Sequence, residues 1–220
     1  MNTVLIAVAQ GKGGASKTTT AVNLTGALNE LGYKACLIDW DTEKPDASKW
    51  MQQGDFINWI KLIDNGDPVL DIETAKQKYD VVIFDTPPNY DANALKAIMT
   101  SDFVIIPTST NFLDQENAKE AISVPMLAKK PFKILMSKIK KGTKAGKDIY
   151  AQVGDRDISF KEIISDRDPL AQCPRSGKWI GQYAKGSDSH KQFLNLAKEV
   201  VLWTGIKCHN RDTKLEEVIL

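Results

Sequence analysis

Long apolar runs are missing from this 220-residue chain. No stretch approaches the roughly 18 to 20 uninterrupted apolar residues that a membrane-crossing helix requires. Met1, Asn2 and Thr3 lead straight into a strand-like run with no basic leader, so a cytoplasmic protein is expected. Cysteine is sparse: Cys36, Cys173 and Cys208 form no CxxC pair and no metal spacing, which excludes a disulfide scaffold and a zinc ribbon. Only two histidines occur, His190 and His209; neither pairs with a second ligand, and both are expected at the surface. A large charge imbalance is missing too, the formal net charge being +1. What remains is 42% hydrophobic and 26% charged, without repeats or low-complexity linkers, and that composition supports a real core. One domain over residues 1–205 with a tail over 206–220 is expected.

The apolar residues come in short runs. Val4 to Ala9, Ala35 to Ile38, Val81 to Phe84, Phe103 to Ile106 and Ile134 to Met136 are rich in Val and Ile and do not alternate with polar residues. Strands covered on both faces read this way. Between them lie helical patterns: Ala21, Leu24, Leu28 and Leu31 share one helix face, which Gly32 ends. A last helix carries Phe193, Leu196, Ala197, Val200 and Val201 after a polar Ser187-Asp188-Ser189 entry. Strands alternating with helices imply an α/β fold, a mostly parallel twisted sheet with helices on both faces. The segment from Ala151 to Tyr183 shows no clear period.

Three clusters follow strands, and ligands of such sheets bind beyond the strands' carboxyl ends. The first is Gly11-Lys12-Gly13-Gly14-Ala15-Ser16-Lys17-Thr18. Glycines let backbone N–H groups approach phosphate oxygens, and the following helix N-terminus favours negative charge. Lys17 suits the β- and γ-phosphates and Thr18 a magnesium ion, which is the phosphate-loop pattern with Ser16 where the strict form has glycine. Ser16 gives up glycine's freedom of φ: such a loop still closes if its φ there is negative, and the alternative expectation is reduced affinity or hydrolysis. The second cluster is Asp39-Trp40-Asp41 at the end of the second strand. Carboxylates two positions apart on a strand point the same way, so both are expected to face a metal or a phosphate, the alternative being an Asp-rich turn leaving the strand. The third is Asp85-Thr86-Pro87-Pro88, an apolar strand ending in a carboxylate suited to magnesium. Trp40 reads as a core or interface filler.

Together these segments resemble the ParA/MinD ATPases, whose deviant phosphate loop carries an extra lysine. Lys12 to Thr19 is similar to that loop, Asp39-Trp40-Asp41 to the family's next motif and Asp85 to Pro88 to its magnesium-holding strand end. Asp102 to Pro107 and the region from Gly177 to the last helix extend the likeness, and the compact size is most like the small ParA proteins of plasmid partition. The resemblance implies ATP and magnesium as cofactors, with Gly11, Lys12, Gly13, Gly14, Ala15, Ser16, Lys17, Thr18 and Thr19 around the phosphates. Pro107, Ser137 and Lys138 would lie near the base, and Thr18, Asp39 and Asp85 would hold the metal. Lys12 would reach across a dimer to the partner's phosphates, Lys17 would act within its own subunit, and Asp41 would orient the attacking water. It further implies an ATP-dependent homodimer, nonspecific duplex DNA and an adaptor or centromere-binding protein as partners, and residence on the nucleoid. The same machine with a protein cargo is the alternative.

Between Lys129 and Lys147 stand eight lysines and no acid: Lys129, Lys130, Lys133, Lys138, Lys140, Lys141, Lys144 and Lys147. A charge run alone reads as a solvated loop. Beside the resemblance, Lys138, Lys140, Lys141, Lys144 and Lys147, with Arg167, Arg175 and Lys178, become candidates for DNA phosphate contacts. A membrane ATPase of the MinD kind would need a basic amphipathic C-terminal helix, and Lys214 to Leu220 is short and acidic. An iron–sulfur electron carrier would need suitably placed cysteines, and these are not.

Overall fold

Val81-Val82-Ile83-Phe84 has no residue to turn toward water, and the fold covers it on both sides. The structure, a computed structural model, describes residues 3–54, 57–62, 68–109, 122–140, 142–144, 147 and 158–208. In chain order its strands are β1 (Val4–Val8), β2 (Ala35–Asp39), β3 (Ile60–Leu62), β4 (Val81–Asp85), β5 (Phe103–Thr108) and β6 (Phe132–Met136). All pairings are parallel and the sheet order is β3-β2-β4-β1-β5-β6. The helices are α1 (Lys17–Glu30), α2 (Asp46–Gln52), α3 (Pro68–Lys76), α4 (Ala92–Thr100), α5 (Asp168–Gln172), α6 (Ile180–Tyr183) and α7 (Asp188–Thr204), with a 3₁₀ turn at Cys173–Ser176.

Alternation along each strand splits the apolar residues between two cores. Ile6 and Val8 of β1, Leu37 of β2 and Val81 and Ile83 of β4 pack with residues of α1, α2 and α7. Leu5, Ala7, Cys36, Val82 and Phe84 face the opposite core, with residues of α3 and α4. Two cores account for the uninterrupted apolar runs, because each side chain is buried whichever way it points. α1 is buried nearly all round because it lies between the sheet and α7; besides the expected Ala21, Leu24 and Leu28 it buries Val22 and Ala27. Leu31 caps it and Gly32, at φ 90°, reverses the chain.

The strands run where the apolar runs lie, and the short edge strand β3 is an addition. Its three residues, Ile60-Lys61-Leu62, carry too little pattern to stand out. Within the segment that showed no period, Ser159 and Ser165 bridge Ile134 and Ile139 alongside β6, and α5, the 3₁₀ turn and α6 follow. Trp40 fills the core, 1% exposed, its ring 5.3 Å from that of Phe84. His190 is a correction to the expected surface position: it is 4% exposed. Its Nδ1 accepts from Gly186 N, Nε2 lies 3.1 Å from Glu30, and its ring meets Trp179 edge-on. His209 lies outside the described residues. Past α7, Ile206 still packs into the core.

Candidate functional site

The parallel register builds the site. Asp39 and Asp85 end adjacent strands as direct partners, and Val8, the last residue of β1, partners Asp85 from the other side. By alternation both carboxylates point to the face that α1 covers. The loop from Ala9 to Ser16 therefore leaves β1 beside two acids and delivers Lys17 and Thr18 onto them. Lys17 is 8% exposed, and the Thr18 hydroxyl hydrogen-bonds Asp85.

Several contacts set the loop's shape. Asn89 N donates to Gly11 O at 2.7 Å, and a Cβ on Gly11 would fall 2.9 Å from the Tyr90 ring. Gly14 takes φ 72°, a left-handed value that glycine adopts freely. Lys138 Nζ donates to Gly14 O at 3.0 Å, tying the segment after β6 to the loop. Thr86 Oγ1 donates to Val8 O at 2.9 Å and fixes the chain leaving β4. Ser16 stands at φ 70°, so the loop closes in the strained conformation and not the relaxed one.

Burial dominates the electrostatics. It pushes the Asp85 carboxyl up to about 8, with the neighbouring Asp39 charge adding to the rise and the Thr18 hydroxyl and Lys17 opposing it. Lys17 is pushed below the usual lysine value by burial, while Asp85 and Asp41 pull it back up. Asp39 is also raised by burial, although Ser48 and the Asp41 amide hydrogen-bond its charged form. Asp85 Oδ1 is buried with no hydrogen-bond partner. Such an atom fits a cation: a divalent ion with its waters, beside Thr18, would satisfy it. Among the described residues no three His, Cys, Asp or Glu side chains cluster closely enough to hold a metal by themselves.

A cleft of about 630 Å³ opens over the loop, lined by Gly13 to Thr19, Asp41, Glu43, Lys44, Asp46, Thr86 to Asn89, Asp91 and Lys138. The shared strand face expected of Asp39 and Asp41 is corrected, because β2 ends at Asp39. Instead the chain turns, and Asp41 N donates to Asp39 Oδ1. Asp41 thus reaches the cleft while Asp39 stays behind it, 0% exposed. A second cleft of about 260 Å³ adjoins, lined among others by Ser16, Thr19, Ser137, Lys138, Arg167 and Pro174. Ser137 Oγ is buried there without a hydrogen-bond partner. Pro107 lies inside β5 opposite Leu135 and lines neither cleft. Lys12 is exposed and lies outside the cleft.

The lysine run is corrected as a continuous surface, because β6 divides it. Lys129 and Lys130 precede the strand, and Lys130 Nζ donates to Ser101 O. Lys133 within it is 4% exposed, its Nζ bonded to Ser159 O and held 3.6 Å from the Trp203 ring centre. Lys138, Lys140, Lys144 and Lys147 follow the strand and are exposed, at the sheet end that carries the cleft. Lys141 lies outside the described residues. Lys140 and Arg167 share a depression with Asp166 and Asp168, and Arg167 pairs with Asp188 at 3.4 Å. Arg175 is exposed on the 3₁₀ turn, and Lys178 is half-buried, its carbonyl accepting from Trp50 Nε1 at 3.0 Å.

Sequence patterns missed Asn89 and Tyr90, whose left-handed φ values of 63° and 46° no motif announces. They also missed Ser48, whose hydroxyl holds Asp39 from within α2. A parallel sheet with a phosphate-type loop between β1 and α1 and a carboxylate ending β4 defines a P-loop nucleotide-binding protein. Residues 6–180 match the family model of the CobQ/CobB/MinD/ParA nucleotide binding domain, and the chain belongs to that family. It is 27% identical to the sporulation initiation inhibitor protein Soj of Bacillus subtilis over 89% of this chain and 97% of that one. It is 37% identical to the maintenance of carboxysome distribution protein A of Gloeobacter kilaueensis over 50% of this chain and 51% of that one. In fold it is similar to the septum site-determining protein MinD of Pyrococcus horikoshii, solved with Mg-ADP (TM-score 0.74, 20% identity, 94% of this chain and 100% of that). It is similar also to a putative plasmid partition protein of Borrelia burgdorferi bound to AMPPNP (TM-score 0.71, 20% identity, 91% and 99%). Among the described residues no helix is long and apolar enough to cross a membrane.

Proposed function

We propose that the chain is a magnesium-dependent ATPase of the ParA type, which pairs through bound ATP, coats duplex DNA without reading sequence and distributes a cargo through an adaptor protein. The observation that carries this is one cleft lined by Lys17, Thr18 and Asp41, with Asp85 buried behind it on the Thr18 hydroxyl and Lys12 exposed beyond it. Lys17 offsets phosphate charge from within, and an exposed Lys12 suits phosphates held by a second subunit. Thr18 and Asp85, with Asp39 behind them, would hold magnesium, which neutralises charge on the phosphates. Asp41 orients water toward the γ-phosphate. The second cleft, with Ser137 and Lys138, takes the base. Hydrolysis then dissolves the pair, so the γ-phosphate acts as a timer for assembly.

Lys138, Lys140, Lys144 and Lys147 supply a sequence-independent phosphate-binding face, which would keep the paired form on the nucleoid. Plasmid or chromosomal DNA is the leading cargo. The match to carboxysome-distribution proteins favours a second reading, in which the same machine positions a protein body. Sedimentation with and without Mg-ATP, repeated with duplex DNA, tests the proposal. Pairing with ATP and DNA association only in that state are expected. A monomer under saturating ATP removes the paired mechanism, and ATP-independent DNA binding at moderate salt removes the timer.

A further inference from the structure

Ser16 is the residue that the loop's chemistry does not explain. It occupies the N-cap of α1 at φ 70° and ψ 24°, a left-handed conformation that costs an L-residue more than glycine. Serine at an N-cap usually takes extended angles and accepts a hydrogen bond from the helix; Ser16 does neither, and its hydroxyl makes no cap. In this conformation Ser16 O accepts from Thr20 N at 2.9 Å, at the start of the helix that presents Lys17 and Thr18. The side chain is half-buried and is a wall of both clefts, the one over the phosphate loop and the smaller one beside Ser137. Any nucleotide spanning the two passes this residue.

We propose that Ser16 limits how tightly the chain retains nucleotide, by making the binding-competent loop a minority conformation. This rests on the reading of the cleft as a nucleotide site. With Ser16 in the left-handed turn, Lys17 and the Thr18 hydroxyl lie against Asp85, the arrangement on which the nucleotide reading rests. A serine populates that turn less readily than a glycine, and apparent affinity falls by the fraction of molecules in which the loop is competent. A penalty of the size usual for a left-handed non-glycine residue corresponds to roughly 5- to 30-fold in affinity. The consequence is a switch that lets go of spent nucleotide readily and spends more of its cycle empty.

Calorimetric titration of the full chain with Mg-ADP and with the slowly hydrolysed analogue Mg-ATPγS tests this, using Ser16→Gly, Ser16→Ala and Ser16→Asn. If backbone strain is the cause, Ser16→Gly tightens both ligands by about 5- to 30-fold. Ser16→Asn falls between glycine and wild type, because asparagine tolerates the left-handed region. Ser16→Ala stays no tighter than wild type. Unligated Ser16→Gly also melts no lower than wild type. Loss of affinity in both the glycine and the alanine variant would show that the hydroxyl holds the ligand, and would overturn the proposal. So would equal affinity in wild type and Ser16→Gly. Absence of nucleotide binding in every variant would overturn the nucleotide-site reading together with it.

Discussion

The carboxylate of Asp39, at the end of β2, accepts both the backbone N–H and the hydroxyl of Ser48, each at 2.9 Å, inside the first turn of α2. With Asp41 N on its other oxygen, Asp39 is the bracket that folds the segment from Asp41 to Asp46 over the phosphate loop. A buried carboxylate that loses a donor keeps its desolvation cost, so Ser48→Ala should destabilise the fold by about 1–3 kcal/mol. It should also lower ATP turnover, because Asp41 is held through this bracket. Chemical denaturation and steady-state phosphate release measure the two effects. Wild-type stability and turnover in Ser48→Ala would mean that α2 is anchored elsewhere.

Asp85 predicts how the ligand-free protein responds to pH. Its folded value of about 8 lies above the ordinary carboxylate value of about 4. Between those limits the folded chain binds the proton more tightly than the unfolded chain, so stability falls as pH rises. The contribution is fully present below about pH 4 and is lost through about pH 8. Thermal unfolding between pH 5 and 9 should show the wild type losing stability with rising pH, beyond the slope of Asp85→Asn. Asp85→Asn should also abolish the gain in nucleotide affinity brought by magnesium. Parallel pH slopes for the two proteins would show that Asp85 is not the buried acid responsible.

The strands, α1 and the last helix were legible because burial on two faces writes itself as uninterrupted Val and Ile, and because Gly32 and Ser187 mark helix ends. The convergence of Gly11 to Thr18 with Asp85 followed from the rule that parallel strands present ligands at their carboxyl ends. The Asp39–Ser48 bracket was not legible, since a serine inside a short helix has no periodic signature and its partner lies on another element. His190 was misplaced because a lone polar residue shows its burial only through neighbours distant in sequence, here Glu30 and Trp179. Lys133 was misread within a basic run for a related reason: it lies inside β6, where Ser159 and Trp203, both distant in sequence, bury its ammonium.

The two loop lysines should separate cleanly. Lys17 is nearly buried beside Asp85 and Asp41, so Lys17→Ala should abolish nucleotide binding in the single chain. Lys12 is exposed outside the cleft, so Lys12→Ala should bind Mg-ATP like wild type yet fail to pair. Asp41→Ala should do the reverse, holding ATP and accumulating as pairs. Equilibrium nucleotide binding together with sedimentation decides among them. Pairing by Lys12→Ala as strong as wild type would remove the cross-subunit role.

The basic face makes a prediction that also tests its boundary. Lys140, Lys144 and Lys147 are exposed beyond β6, whereas Lys133 is buried against Ser159 O and the Trp203 ring. Replacing the three exposed lysines by alanine should weaken DNA association of the ATP-bound form on random duplexes. The slope of log affinity against log salt should shallow by about 0.9 for each DNA phosphate no longer neutralised, while stability stays within about 0.5 kcal/mol of wild type. Lys133→Ala should do the opposite, lowering the melting temperature while leaving the salt slope of the folded fraction unchanged. Electrophoretic shifts at several salt concentrations, beside thermal melts, read both quantities. A salt slope that ignores the triple replacement would move the DNA face away from the segment after β6, leaving Arg175 and Lys178 as the next residues to replace.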